Sequence, residues 1–192
     1  MNALLIIIAA LFADNVILCR FFGIETFFTT SVKKSGAALY GGIVTFVTVI
    51  SGTLSVLLWK YVLVPLNTPW LLNLMTFAAA LLTIAVICGA HLITKKISEA
   101  LYLSFTEHMP MISTNCIVIG CVNICIEKSY SAGESILYFA AAGAGLTVAL
   151  LVFDALGERL RESAPPRVVK GLPILLLTAA FAAMALAGFV GA

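Results

Sequence analysis

The chain has 192 residues, of which 62% are hydrophobic and only 10% are charged. An ordinary soluble domain is roughly 45–50% apolar and about 25% charged, so a water-soluble globule of this size has no interior large enough for this sequence. The formal net charge of +2 is also too small to predict a nucleic-acid partner. The composition therefore predicts an all-α integral membrane protein whose apolar surface is solvated by lipid.

The apolar residues form six segments, each close to the roughly 20 residues that a helix needs to cross a bilayer. Short polar stretches separate these segments, and none of them is long enough for a soluble domain. We therefore predict a single polytopic membrane domain over residues 1–192. Its predicted transmembrane helices cover residues 2–22, 36–58, 71–93, 99–126, 134–157 and 169–190.

Lysine and arginine are divided unequally between alternate loops, nine against two, with only Lys60 and Lys128 in the smaller group. Basic residues favour the cytoplasmic side of a membrane. Loops one, three and five are therefore predicted to be cytoplasmic, with the N- and C-termini outside. The nine residues are Arg20, Lys33, Lys34, Lys95, Lys96, Arg159, Arg161, Arg167 and Lys170.

Six spans divide into halves of three, about residues 1–95 and 96–192, and an odd number per half gives the halves opposite orientations. Any internal homology is then an inverted repeat. The first span runs into a less regular stretch at 23–26, and the fourth is interrupted at 109–116. Broken helices at matching places in two halves point to a site near mid-membrane, at the interface between the repeats.

The second break contains the strongest candidate ligand. Pro110 removes a backbone donor, and Ser113, Thr114 and Asn115 follow it with groups that can satisfy the freed backbone. Cys116 comes next, and its thiolate would be a soft metal ligand held by non-helical backbone. The alternative is a proline-kinked helix with an inert cysteine.

Glu25 occupies the corresponding place in the first half, because Gly23-Ile24-Glu25 aligns with Thr114-Asn115-Cys116 in an inverted repeat. An ionisable side chain inside a membrane indicates a functional site. The alternative is that Glu25 lies nearer the cytoplasmic surface and pairs with Arg20 or Lys33.

On these residues the chain resembles the family that contains the A-type membrane component of the Rnf complex and the E-type component of the Na⁺-pumping NADH:quinone oxidoreductase. The resemblance extends over essentially the whole chain, and the stretch at 109–120 is its most specific part. The matching stretches are 15–23, 31–34, 64–67 with Val47, 100–102, 109–120 and 158–161 with Pro165 and Pro166.

The resemblance implies six helices in two inverted halves, paired with a homologous membrane subunit of opposite topology, of the Rnf E type. Between the two subunits it implies a [2Fe–2S] cluster near mid-membrane, held by two cysteines from each. Further subunits of the B, C, D and G types complete the complex. Located in a bacterial or archaeal cytoplasmic (inner) membrane, that complex couples electron transfer between ferredoxin and NAD to transport of Na⁺ or H⁺.

One position departs from the family pattern. Cys116 matches the cysteine of the second half, with Thr114 and Asn115 beside it, but the cysteine of the first half falls at Glu25. Three explanations are open: Glu25 ligates iron through oxygen, Cys19 replaces it after a shift of the chain, or no ordinary cluster forms. We place the first ahead of the others because Glu25 occupies the matched position.

The resulting hypothesis is an electron-transferring membrane subunit of an ion-transporting ferredoxin:NAD oxidoreductase, which acts as part of a translocase and is not catalytic alone. Two other classes remain open. Inverted repeats with broken helices are also typical of secondary transporters, and a structural membrane subunit without a cofactor would show the same hydropathy. The spectrum of the purified complex distinguishes the first class from the other two.

Overall fold

Helix is the regular structure throughout the part of the chain that the computed structural model describes, and no strand occurs there. The structure describes residues 7, 10, 37–66, 71–97, 102, 103, 106, 112, 115–162 and 171–190. We number its helices in chain order. They are α1 (Ala37–Leu58), α2 (Val64–Leu66), α3 (Leu71–Ile97), α4 (Ile117–Glu127), α5 (Ala132–Glu162) and α6 (Leu172–Val190).

Three of the described helices are long and apolar enough to cross a membrane, and they confirm the second, third and fifth predicted spans as helices. Two shorter apolar helices overlap the remaining described spans: Ile117–Glu127 ends one residue beyond the fourth predicted span, and Pro173–Ala185 lies within the sixth. The first span lies outside the described residues except at positions 7 and 10, so the total of six spans stays a prediction. The three long segments are Ala37–Leu63, Thr76–Lys96 and Ala132–Leu160.

The second span continues beyond its predicted end at residue 58. A π-helical turn, Trp59–Leu63, follows α1 and leads into α2, and the N–H of Val64 donates to the carbonyl of Trp59. Pro65 comes directly afterwards and has no N–H to donate. In a regular α-helix, Pro65 would leave one carbonyl of the preceding turn without a donor. The wider π-helical turn lies at this place, and the helix continues to Leu66.

The centre of the described structure is α1, which packs most extensively against α5 and also contacts α3 and α4. Gly41 lies against the side chain of Thr147, and Gly143 lies against the side chain of Thr45. Low residue numbers on α1 thus meet high numbers on α5, so the two helices run antiparallel. Glycine at both positions allows the backbones to approach closely, as small residues commonly do between membrane helices.

The contact between these two helices is reciprocal. Each helix carries a glycine followed four residues later by a threonine, and each glycine meets the other helix's threonine. Thr45 Oγ1 donates to the carbonyl of Gly41 at 2.7 Å, and Thr147 Oγ1 donates to the carbonyl of Gly143 at 2.9 Å. The two hydroxyl oxygens are 3.4 Å apart. Exchanging the helices therefore reproduces the same set of contacts, as a local two-fold axis would.

The buried face of α1 is rich in hydroxyl groups. Ser51 Oγ donates to the carbonyl of Val47 at 2.6 Å and Ser55 Oγ to the carbonyl of Ser51 at 2.7 Å. Thr48 is also fully buried, and its Oγ1 has no hydrogen-bond partner within the described residues. Donation to the preceding turn satisfies the two serine hydroxyls without a neighbouring helix, which suits an apolar surrounding.

Residues 131 and 134 form a reciprocal cap at the start of α5. The backbone N–H of Ser131 donates to Glu134 Oε2 at 2.9 Å, and the backbone N–H of Glu134 donates to Ser131 Oγ at 3.3 Å. We expect Ser131→Ala to lower the free energy of unfolding by about 1 kcal/mol, because one N–H at the helix start loses its acceptor. Thermal unfolding of the detergent-solubilised protein measures the change. Ser129→Ala is the control, and an equal loss there would contradict the capping role.

Candidate functional site

The predicted break in the fourth span lies immediately before α4. Ile112 is helical, Asn115 and Cys116 are not, and α4 begins at Ile117. Cys116 is the residue that precedes the first helical position, and it is partly accessible. The N-terminal end of a helix carries a partial positive charge, which favours an anion such as a thiolate. The start of α4 is therefore a suitable place for a thiolate ligand.

Asn115 holds this turn from inside the protein, since only 3% of its surface is exposed. Its Oδ1 accepts the N–H of Ile117 at 3.0 Å, which satisfies one of the donors that a helix leaves open at its start. Its own backbone N–H donates to the carbonyl of Ile112 at 3.3 Å. Both neighbours of Cys116 in the chain are thus fixed by hydrogen bonds of Asn115.

The remaining contact of Asn115 reaches a helix that is distant in sequence. Its Nδ2 donates to the hydroxyl of Tyr40 at 3.4 Å, and Tyr40 is fully buried on α1. The sequence gives no direct sign of this partner, which precedes Asn115 by 75 positions. The one available signal is a tyrosine at the start of an apolar span, beside the small residues that allow close packing.

The length of α4 gives an estimate of the depth of Cys116. The helix has 11 residues, which at 1.5 Å per residue is about 16 Å. Two exposed charged residues mark its end, since Glu127 is the last residue of the helix and Lys128 follows it. If these two lie at the membrane surface, Cys116 lies about half-way through a hydrocarbon core of about 30 Å.

The cysteines differ in their surroundings. Cys121 and Cys125 are buried within α4, Cys88 is exposed on α3, and none of these or Cys116 forms a disulfide. Among the described residues, no three His, Cys, Asp or Glu side chains converge as metal ligands. An iron–sulfur cluster takes four protein ligands, and the thiol of Cys116 could supply one of them.

Three predicted site residues lie outside the described residues. These are Glu25, Cys19 and Thr114. Of the predicted site, the structure therefore places Cys116 and Asn115, which are adjacent at the start of α4, and the relation of Cys116 to Glu25 stays a prediction.

Comparison with known proteins identifies the family. The family described as "Rnf-Nqr subunit, membrane protein" matches residues 3–192. The chain belongs to the Rnf-Nqr subunit family. The resemblance seen in the sequence is thereby confirmed over nearly the whole chain, and the family is one of membrane proteins, as the composition predicted.

Individual Rnf-Nqr relatives match end to end. The A-type subunit of the Na⁺-translocating ferredoxin:NAD⁺ oxidoreductase complex of Acetobacterium woodii is 36% identical over 191 residues, which cover 100% of this chain and 98% of that protein. The A-type subunit of the ion-translocating oxidoreductase complex of Syntrophotalea carbinolica is 36% identical, with 99% and 97% covered. The protein of the same name from Glaesserella parasuis is 34% identical, with 98% and 96% covered.

Proposed function

We propose that this chain is the A-type membrane subunit of a bacterial Rnf-type ion-translocating oxidoreductase complex. In this role it is part of a translocase and is not catalytic alone. The proposal is supported by relatives at 36% identity that are named as subunits of such complexes and are matched over nearly their full length. The complex would couple electron transfer between ferredoxin and NAD to transport of Na⁺ or H⁺.

Within this complex, Cys116 would supply one thiolate to a [2Fe–2S] cluster shared with a homologous subunit of opposite topology. The observation that carries this proposal is the non-helical turn of Asn115 and Cys116 at the start of α4. When bound, such a cluster supplies one-electron redox chemistry. The chain's own contribution is to hold the Cys116 thiol at about mid-membrane and to keep the turn that carries it satisfied by Asn115.

The proposed architecture has two inverted halves, with broken first and fourth helices and both termini outside. It is supported by the reciprocal contact of α1 and α5, which are the second and fifth predicted spans. In an inverted repeat these two spans are equivalent and antiparallel, so a contact near the symmetry axis should pair each glycine with the other helix's threonine. Gly41 with Thr147 and Gly143 with Thr45 follow this rule.

The partners follow from the same proposal. A homologous subunit of the Rnf E type would supply the other half of the cluster ligands, and subunits of the B, C, D and G types would complete the complex in the cytoplasmic membrane. A secondary transporter is the second candidate, because a pair of antiparallel, symmetry-related helices is also a transporter feature. It predicts no iron-dependent signal linked to Cys116.

The test compares two cysteine variants in the purified complex. We expect Cys116→Ala to abolish one iron–sulfur signal, seen when its electron paramagnetic resonance spectrum is subtracted from that of the wild-type complex. The reason is that thiolate is the usual ligand of such clusters. Cys121→Ala is the matched control, since it removes a thiol from α4 itself, five positions after Cys116. Subunit composition by gel filtration shows whether both complexes assemble. A Cys116→Ala complex with the complete wild-type signal would reject the cluster and leave the transporter or structural candidates.

A further inference from the structure

Tyr40 meets the turn that carries Cys116. It is fully buried, Asn115 is 3% exposed, and the Nδ2 of Asn115 donates to the Tyr40 hydroxyl at 3.4 Å. Both polar groups are therefore shielded from solvent, where a hydrogen bond between them cannot readily be replaced by water. The contact joins two segments that lie 75 positions apart in the chain.

The Asn115 side chain connects Tyr40 to the start of α4. At one end of the amide, Nδ2 donates to the tyrosine hydroxyl, and at the other end Oδ1 accepts the N–H of Ile117 at 3.0 Å. The planar amide group is held at both ends, so its orientation is fixed. Cys116 lies between Asn115 and Ile117 in the chain, and its position depends on both of them.

Tyr40 is itself anchored to a well-packed part of the structure. The next residue, Gly41, lies against Thr147 of α5, in the reciprocal contact of α1 with α5. The tyrosine therefore belongs to the most extensively packed pair of helices among those described. Its hydroxyl therefore contacts the Asn115 side chain from a part of α1 that packs against α5.

We propose that Tyr40 is a positioning residue for Cys116, acting through Asn115, and that it tunes the environment of the redox group bound there. This inference rests on the proposed function, because the redox group is the proposed cluster. Removing the tyrosine hydroxyl leaves a buried amide N–H without its acceptor, and such groups are costly where water is scarce. Asn115 then reorients, the turn loosens, and the thiol shifts relative to the other ligands. Hydrogen bonding and ligand geometry around a cluster set its reduction potential.

The experiment uses Tyr40→Phe in the purified complex. We expect the iron–sulfur signal to be retained with altered g-values and a shifted midpoint potential. We also expect hydrogen exchange at the first amides of α4 to become several-fold faster, as measured by mass spectrometry on peptides beginning at Asn115. Tyr138→Phe is the matched control, because Tyr138 is an equally buried tyrosine on α5, and it should change neither quantity at this site.

A double variant tests whether Tyr40 acts through Asn115. In an Asn115→Ala background the hydrogen bond is already absent, so adding Tyr40→Phe should change the exchange rate and the potential no further. Effects that add would overturn the inference. The inference would also be overturned if hydrogen exchange at the start of α4 were as slow in Tyr40→Phe as in the wild-type protein. A third contrary result would be an unchanged midpoint potential and unchanged g-values in Tyr40→Phe, in a complex whose signal depends on Cys116.

Failure of the proposed function is recognised separately. If Cys116→Ala leaves every iron–sulfur signal intact, the cluster at this residue is rejected, and with it the tuning role of Tyr40. The exchange measurement still decides whether Tyr40 holds the turn, because it needs no bound metal. If faster exchange is then the one effect of Tyr40→Phe, the contact serves the folding of the turn, and the redox role is rejected.

Discussion

Gly41→Ala and Gly143→Ala are each expected to lower the free energy of unfolding by about 1–3 kcal/mol, the usual cost of adding a methyl group to a well-packed interior. A Cβ at Gly41 would lie 2.6 Å from Thr147 Oγ1, and a Cβ at Gly143 would lie 2.5 Å from Thr45 Cγ2. Both distances are far below van der Waals contact, so α1 and α5 must separate. Because the contact is reciprocal, the two variants should lose similar amounts.

Gly42→Ala is the matched control for this prediction. Gly42 follows Gly41 in the same helix, yet a Cβ there meets nothing within 4 Å. The substitution should leave stability unchanged or raise it by less than about 1 kcal/mol, because alanine favours helix over glycine. Thermal unfolding of the complex in detergent measures all three variants. A Gly41→Ala protein as stable as the Gly42→Ala protein would contradict the close helix contact.

A compensating change tests the cause of the loss. Thr147→Ala removes Oγ1 and Cγ2, which are two of the three Thr147 atoms that a Cβ at Gly41 would approach. Combining it with Gly41→Ala should therefore recover part of the lost stability. The loss of stability in the double variant is compared with the sum of the losses in the two single variants. A larger loss in the double variant would show that the clash between these side chains is not the cause.

Hydropathy alone is sufficient to predict the positions of the long helices in this protein. The predicted spans 36–58, 71–93 and 134–157 correspond to α1, α3 and α5, because about 20 apolar residues in a bilayer have few alternatives to a helix. The ends differ by up to eight residues, because the second span runs on to Leu66 and α5 runs to Glu162. Polar residues near the membrane surface extend a helix at little cost, so hydropathy does not define where it ends.

The faces that pack cannot be predicted in the same way. Helices such as α6 are apolar on every side, since lipid solvates whatever the protein leaves exposed, and the hydrophobic periodicity that marks a buried face in soluble proteins is weak. The reciprocal contact depends on Gly41 and Gly143, whose spacing to a threonine is visible in the sequence. The sequence contains many small residues, and only the packing in three dimensions decides which of them meet. The contact of Tyr40 with Asn115 likewise depends on that packing.

Glu25 is the second position with a large expected effect, and the prediction for it comes from the sequence. Glu25 stands where the family resemblance places the first-half cysteine, opposite Cys116 in the inverted alignment. If its carboxylate is a ligand, Glu25→Ala should weaken or abolish the iron–sulfur signal assigned to Cys116. Glu25→Cys should keep the signal and shift its midpoint potential, because a soft thiolate replaces a harder oxygen ligand. Redox titration followed by paramagnetic resonance measures both variants.

Cys19→Ser separates the two candidate first-half ligands. Cys19 precedes Glu25 by six positions, so it can take the ligand role only if the chain is shifted relative to the family alignment. With Glu25 as ligand, Cys19→Ser should leave the signal and its potential unchanged, since serine replaces a cysteine that binds nothing. If the signal is lost in Cys19→Ser and retained in Glu25→Ala, the first-half ligand is Cys19. Retention in both variants, with loss in Cys116→Ala, would mean that neither residue binds iron and that the remaining ligands come from elsewhere in the complex.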